Sequence, residues 1–68
     1  MKRTLSNREM DCLILYGQGR KTTEIAVDMK LSVKTVSTYL SRAQDKLRVV
    51  SRSDLRTLAA KFTEALPR

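Results

Sequence analysis

The chain of 68 residues can form one small domain at most, and 14 Lys and Arg against 7 Asp and Glu give it a net charge of +7 and a pI near 10.2. So strong a basic excess attracts polyanions: nucleic acid first, an acidic membrane surface second and an acidic protein third. Histidine is absent and Cys12 is the one cysteine, which excludes an intrachain disulfide and a cysteine-based metal site and argues against an enzyme.

We expect no cofactor, no metal and no small-molecule ligand for this domain. No apolar run approaches the ~20 residues that span a bilayer, and residues 1–5 lack the apolar core of a signal peptide. We therefore expect a cytoplasmic protein without a membrane partner. Residues 1–4 are interpreted as a basic lead-in, and residues 5–66 as one all-α domain of four helices.

The first helix is predicted over about residues 7–18. Ser6-Asn-Arg-Glu9 has the form of a capping box, in which Ser6 accepts from the amide of residue 9 while Glu9 reaches back. Gly19 is the natural left-handed terminator of this helix. Two stripes could face inward, and they share one leucine: Cys12, Leu13 and Tyr16, or Met10, Leu13 and Ile14.

The second and third helices are predicted over about residues 22–29 and 33–47, with a short link between them. Glu24 suits the positive end of the second helix, and Ser32 is an N-cap for the third. Two helices so closely spaced have the layout of a helix-turn-helix, although the turn lacks the usual glycine. The inward stripe of the third helix is Val33, Val36, Leu40, Ala43 and Leu47.

The outward face of the third helix is rich in hydroxyls. It carries Lys34, Thr35, Thr38, Ser41 and Arg42, with Ser37 and Tyr39 on its flanks. Ser and Thr are poor helix formers and need a reason to be there. Short hydroxyls between two cations suit an anionic, grooved ligand such as duplex DNA, and the alternative is a solvated helix that is merely rich in Ser and Thr.

A fourth amphipathic helix is predicted over about residues 52–65. Ser51-Arg-Ser-Asp54 offers a capping-box-like start, and Pro67 lies beyond the end. Its apolar stripe is Leu55, Leu58, Ala59 and Phe62. If packing within the monomer uses this stripe, contacts with a second copy fall to neighbouring residues, namely Arg56, Lys61 and Leu66.

Several motifs together resemble the LuxR-type, or GerE-like, helix-turn-helix domain. They are Leu5-Ser-Asn-Arg-Glu9, Gly19, Glu24-Ile-Ala26, Leu31-Ser-Val-Lys-Thr-Val36, Lys46-Leu47 and Arg52. The similarity covers about residues 5 to 60 without a gap. The segment Lys34-Thr-Val-Ser-Thr-Tyr39 resembles the response-regulator branch more than the quorum-sensing branch. The resemblance implies a bacterial transcription regulator whose third helix enters the DNA major groove and whose fourth helix forms a homodimer on DNA.

The resemblance also implies roles for single residues. Base contacts are expected at Ser37, Thr38 and Ser41, with Arg42 close behind. Phosphate contacts are expected at Thr22, Thr23, Lys34, Thr35 and Tyr39. Lys46 is a further candidate for a phosphate contact on charge alone.

Three positions depart from the family pattern. Arg48 replaces a glycine, so we expect the third helix to end without its customary left-handed residue, either at a cost of about 1 kcal/mol or with a different kind of helix end. Lys21 replaces a capping serine, so the cap of the second helix is expected to shift to Thr22. Ser37 replaces a basic residue in the middle of the reading face, which leaves the identity of the base contacts open.

A second class of function competes with DNA binding. A basic four-helix adaptor could keep this architecture and modulate another regulator through an acidic partner. The hydroxyl face argues against the adaptor. A membrane-surface binder is disfavoured because the short apolar stripes suit a globular core.

Overall fold

A computed structural model describes the backbone of residues 5–65 and the side chains of residues 5–62. These residues form four α helices and no strand: α1 (Asn7–Gly17), α2 (Thr22–Met29), α3 (Val33–Leu47) and α4 (Arg52–Ala65). The predicted all-α fold is confirmed, and the predicted bounds agree except that α1 ends one residue earlier. The lead-in predicted at residues 1–4 and the domain limit predicted at residue 66 lie outside the described residues.

Serine hydroxyls cap the N-termini of three of the helices. At α1 the amide of Glu9 donates to Ser6 Oγ at 3.2 Å and the amide of Ser6 donates to Glu9 Oε1 at 3.0 Å, which completes the predicted capping box. Ser32 accepts from the amide of Thr35 at 3.0 Å, and Ser51 accepts from the amide of Asp54 at 3.1 Å.

The second helix begins differently from our expectation. Its N-cap is Lys21, and Thr22 is already the first helical residue, so the predicted hydroxyl cap at Thr22 is wrong. The amide of Lys21 donates to Glu24 Oε1 at 2.9 Å. A carboxylate three residues into the helix therefore satisfies the exposed amide, and no hydroxyl is needed.

The first three helices end in the same way, with a left-handed residue. Gly19 has φ 94°, as predicted for α1, while Lys30 and Arg48 both have φ 57°. Around each of them an amide donates back to a carbonyl five residues earlier, for example from Leu31 to Ala26 at 2.9 Å and from Val49 to Gln44 at 3.0 Å.

The expectation that α3 ends without a left-handed residue is therefore wrong. Arg48 adopts that conformation without being glycine, at a cost of about 1 kcal/mol. Lys30 does the same in the turn of the helix-turn-helix, which explains why that turn needs no glycine. In both cases a cationic side chain follows the negative end of a helix, and this interaction offsets part of the cost.

The core lies where all four helices meet. Its buried residues are Cys12, Leu13, Tyr16, Ile25, Ala26, Val36, Leu40, Ala43, Leu55 and Ala59. For α1 the stripe through Cys12 and Tyr16 is thus the inward one. Cys12 also donates from Sγ to Met29 Sδ at 3.3 Å, which joins α1 to α2.

In the predicted stripes of α3 and α4, Val33 and Leu58 neither belong to this core nor are among the residues that pack against it. Val33 is 45% exposed, because it is the first residue of α3 and its side chain points back beyond the end of the helix. Leu58 is half-buried and is not among the residues that pack against the core, whereas Phe62 is.

Glu9 is the one charged residue buried among the described side chains, and it joins two helices. The residue is 3% exposed, and its Oε1 lies 2.7 Å from Nζ of Lys46 on α3. The hydrogen bond from Lys46 and that from the Ser6 amide hold the pKa of Glu9 below its ordinary value of 4.5, against the opposing effect of burial. The pair anchors the C-terminal half of α3 to the start of α1.

Gly17 marks the closest approach of α1 to α4. A Cβ atom at this position would lie 2.5 Å from the carbonyl carbon of Ala59 and 2.7 Å from the amide nitrogen of Ala60. Both are backbone atoms, which cannot rotate away. The absence of a side chain at Gly17 is therefore required for the packing of the two helices.

Replacing Gly17 by Ala should force α1 and α4 apart and lower the free energy of unfolding by about 2–3 kcal/mol. Gly19→Ala is the matched control, since nothing lies within 4 Å of a Cβ there and only the positive φ is strained. We expect that control to cost about 1 kcal/mol. Urea denaturation followed by circular dichroism measures both, and equal losses would contradict the close-packing argument.

Replacing Glu9 by Gln should lower the free energy of unfolding at pH 7 by about 2–3 kcal/mol, because Lys46 loses its buried counter-charge. The lowered pKa of Glu9 means that the carboxylate stabilises the fold above its unfolded pKa and that this contribution is lost as the pH falls through the folded pKa.

The wild-type chain should therefore lose stability on acidification below about pH 4.5, and Glu9→Gln should lose less over the same range. Thermal melting at a series of pH values tests this expectation. Asp11→Asn removes an exposed carboxylate from the same helix and serves as the control. A Glu9→Gln variant with the acid sensitivity of the wild type would argue against the pair.

Candidate nucleic-acid interface

The outward face of α3 is open to solvent along its first ten residues. Lys34, Thr38, Ser41 and Arg42 are exposed, and Thr35 and Ser37 are half-buried. The opposite face is rigidly held, because Val36, Leu40 and Ala43 are each 0% exposed. The structure therefore brings the predicted reading residues together on one supported surface, which we call the α3 face (Lys34, Thr35, Ser37, Thr38, Ser41 and Arg42).

Several hydroxyls of the α3 face already make hydrogen bonds within the chain. Thr38 donates from Oγ1 to the carbonyl of Lys34 at 3.0 Å. Thr35 Oγ1 accepts from Ser32 Oγ at 2.8 Å, so the proton of Thr35 is available to an external acceptor. These contacts determine which hydroxyls can donate to a ligand and which can only accept.

The first turn of α2 carries two more of the residues predicted to contact phosphate. Thr23 is exposed and Thr22 is half-buried at the N-terminus of the helix. A helix N-terminus attracts anions through its unpaired amides and its dipole. Because α2 packs directly on α3, this terminus and the α3 face belong to one helix-turn-helix unit.

Tyr39 and Lys46 lie on the flank of α3 and are less free than the α3 face. Tyr39 is half-buried and packs against the core. The ammonium of Lys46 lies 2.7 Å from Glu9 Oε1, and the Lys46 side chain is 33% exposed. A phosphate contact from Lys46 would compete with this internal ion pair, and for both residues the contact stays a prediction.

Two charged residues, Arg52 and Asp45, lie next to the α3 face but were not predicted from the sequence to belong to it. Arg52, at the start of α4, donates from Nη2 to Ser41 Oγ at 3.2 Å. No pattern in the sequence links these residues, which are eleven positions apart on different helices. Asp45 is exposed one turn beyond Ser41, and the four-residue spacing from Ser41 could have revealed it.

The residues predicted for dimer contacts differ in their surroundings. The Arg56 guanidinium lies 3.9 Å from the ring centroid of Tyr16 and donates to the carbonyl of Arg20 at 3.2 Å. It is thus already used within its own chain. Lys61 is exposed on α4, and Leu66 lies outside the described residues.

Other kinds of site find little support in the described part of the chain. No group of three or more Cys, Asp or Glu there could hold a metal ion. Among the described helices none combines the length and the apolar character needed to cross a membrane. Cys12 is fully buried, and burial raises the pKa of its thiol, which suits a core residue.

Comparison with known proteins identifies the family. The sequence profile for bacterial regulatory proteins of the luxR family matches residues 3–59. The transcription regulator BvgA of Bordetella pertussis, and that of Bordetella bronchiseptica, is 49% identical over 55 residues. The transcriptional activator protein ExaE of Pseudomonas putida is 38% identical over 55 residues.

These alignments cover 81% of this chain and 26% of each relative, so the chain spans about a quarter of the length of the proteins it matches. No solved structure matches the chain. A family match over most of the chain, the four-helix fold and a helix-turn-helix with an open basic face agree with one another. The chain belongs to the luxR family of bacterial regulatory proteins, which are DNA-binding transcription regulators and not enzymes.

Proposed function

We propose that this domain binds double-stranded DNA sequence-specifically by inserting residues 33–42 of α3 into the major groove, with two copies joined through α4. The observation that carries the proposal is the α3 face, which is open along its length and backed by three fully buried residues. A rigid helix with one free face is the element that the major groove admits. A role of this kind in a bacterial regulator implies a cytoplasmic location.

Phosphate contacts orient the domain in this proposal. Lys34 supplies exposed positive charge at the start of the inserted segment. Thr35 can donate to a phosphate oxygen because its own oxygen already accepts from Ser32. Thr22 and Thr23 add hydroxyls at the N-terminus of α2, and phosphate contacts of this kind fix the register of the domain on DNA without reading sequence.

Asp45 limits how much of α3 can approach DNA. Its exposed carboxylate lies on the same side of the helix as Ser41, one turn further on. A carboxylate repels phosphate, so the C-terminal third of α3 is better oriented out of the groove. This supports the insertion of residues 33–42 and not of the whole helix.

Base reading falls to Ser37, Thr38, Ser41 and Arg42. Hydroxyls discriminate weakly between bases, whereas an arginine that reaches a guanine edge discriminates strongly. One domain should therefore be a modest discriminator. Two copies on a repeated half-site would supply the missing affinity and specificity.

The exposed side of α4 suits a contact with a second copy. Asp54, Leu58 and Lys61 lie along one strip of this helix, with Leu58 half-buried and left out of the core, and the two charges exposed. In an antiparallel pair of α4 helices centred between Thr57 and Leu58, Asp54 of each copy would face Lys61 of the other. A two-fold interface requires this kind of self-complementarity.

Arg42→Ala and Lys34→Ala should each weaken binding to a duplex selected by the wild-type chain by about 1–3 kcal/mol without changing thermal stability. The reason is that each side chain is exposed and contributes charge only to the bound state. Arg8→Ala removes an exposed cation from α1 and is the matched control. Fluorescence anisotropy measures the affinities, and unchanged affinity of the Arg42→Ala, Lys34→Ala double variant would refute the groove assignment.

The salt dependence of binding gives a second readout from the same experiment. If a dimer neutralises six to eight phosphates, log affinity should fall with log salt at a slope of roughly −5 to −7. A separate gel-shift titration with random duplex at low salt distinguishes the adaptor: a wild-type chain that causes no retardation there would favour the adaptor over DNA binding.

Reversing one charge on α4, by Asp54→Lys or Lys61→Asp, should reduce cooperative binding to a two-half-site duplex. The paired helices would then present like charges to each other. The Asp54→Lys, Lys61→Asp double variant should recover cooperativity because the charges are exchanged. Sedimentation of the protein–DNA complex measures the stoichiometry, and single variants that remain fully cooperative would contradict the α4 interface.

A further inference from the structure

The guanidinium of Arg52 connects the start of α4 to the α3 face. Its Nη2 donates to Ser41 Oγ at 3.2 Å, while its other terminal nitrogen, Nη1, is buried and makes no hydrogen bond to the described residues. The Arg52 residue as a whole is half-buried. One nitrogen is thus committed to a predicted reading residue, and another has no hydrogen-bond partner of its own.

We propose that Arg52 is a positioning residue for base reading: it fixes the Ser41 hydroxyl and turns it into a hydrogen-bond donor toward an acceptor on the base edge. The proposal rests on the proposed function, since it concerns how the α3 face reads DNA. It adds a residue from α4 to a reading surface otherwise made of α3 alone.

The direction of the hydrogen bond follows from the chemistry of the two groups. A guanidinium has donors only, so the oxygen of Ser41 must accept from Arg52. The hydroxyl proton of Ser41 then remains free for another partner. A hydroxyl group whose oxygen accepts a hydrogen bond from a cation becomes a stronger donor through its proton and a weaker acceptor, because linked hydrogen bonds polarise one another.

Thr38, one turn before Ser41, has the opposite hydrogen-bonding polarity. Its hydroxyl proton is used on the carbonyl of Lys34 at 3.0 Å, so its oxygen can only accept. The two hydroxyls therefore present different polarities to a base edge. Ser41 favours the acceptors guanine N7 or O6, adenine N7 and thymine O4, whereas Thr38 favours the amino groups of cytosine or adenine.

The environment of Arg52 is poorly suited to a purely stabilising role. A buried charged donor without a partner is costly, and most buried donors in native proteins are satisfied. Positions that break such a rule occur more often at functional sites than elsewhere. A guanidinium that orients a reading hydroxyl accounts for its location next to Ser41.

The test compares the base preferences of five chains. Bound duplexes are selected from a random pool with the wild type, Ser41→Ala, Arg52→Met, the double variant and Arg8→Met, which removes a charge of the same kind from the exposed face of α1. Ser41→Ala and Arg52→Met should relax preference at the same base pair, by about three- to tenfold. The double variant should relax it no further, and Arg8→Met should keep the wild-type motif.

Three results would overturn the proposal: Arg52→Met keeps the wild-type motif, it relaxes a different base pair, or its effect adds to that of Ser41→Ala. A loss of thermal stability with an unchanged motif belongs to the first result and identifies a merely structural arginine. A wild-type chain that enriches no motif refutes the proposed function itself, so the two failures are distinguishable.

A second measurement uses wild-type protein and modified duplexes, so it does not depend on how Arg52→Met folds. At the base pair identified with Ser41→Ala, single analogues delete either a major-groove acceptor, as 7-deazaguanine does, or an exocyclic amino group. Deleting an acceptor should weaken binding by about three- to tenfold, and deleting the amino group should have little effect. The reverse pattern would overturn the assigned polarity of Ser41.

Discussion

The arrangement of the helices depends on the contacts of one buried carboxylate, that of Glu9. It accepts from the Ser6 amide at the start of α1 and from Lys46 near the end of α3, at 3.0 and 2.7 Å. A buried carboxylate is tolerated only when such partners satisfy it. One side chain therefore begins a helix and also anchors the helix whose outer face carries the proposed DNA contacts.

Close packing and tight helix ends are the second constraint. In so short a chain, the backbone must change direction within a few residues of each helix end if all four helices are to share one core. Gly17 lets α1 meet α4 at backbone distance, and left-handed residues at Gly19, Lys30 and Arg48 close the first three helices. The turn of the helix-turn-helix thus depends on the left-handed backbone of Lys30, and the end of α3 depends on that of Arg48; at both positions the helix dipole offsets part of the strain.

The α3 face combines a fixed inner side with an adaptable outer one. The residues behind it (Val36, Leu40 and Ala43) are fully buried, which fixes the orientation of the helix about its axis. Its outer residues are Ser and Thr with short side chains, together with Lys34 and Arg42. Internal partners decide the state of each hydroxyl: Thr38 donates to its own helix, Thr35 accepts from Ser32, and Ser41 accepts from Arg52. In the proposed base reading, the neighbouring residues therefore matter as much as the reading residues themselves.

The sequence alone determined the four helices, most of the inward stripes of α3 and α4, the capping box at Ser6 and the exposed hydroxyl face, because these follow from local spacing and local hydrogen bonds. It left two inward stripes open for α1, and packing chose the one through Cys12 and Tyr16. It misjudged the end of α3 and the start of α2, where the backbone and Glu24 supplied what the expected residue types would have provided. Only the tertiary structure decided that Lys46 pairs with Glu9, that Arg56 stacks on Tyr16 and that Arg52 contacts Ser41. Each of these contacts joins residues on different helices, and their proximity results from packing, which no spacing along the chain encodes.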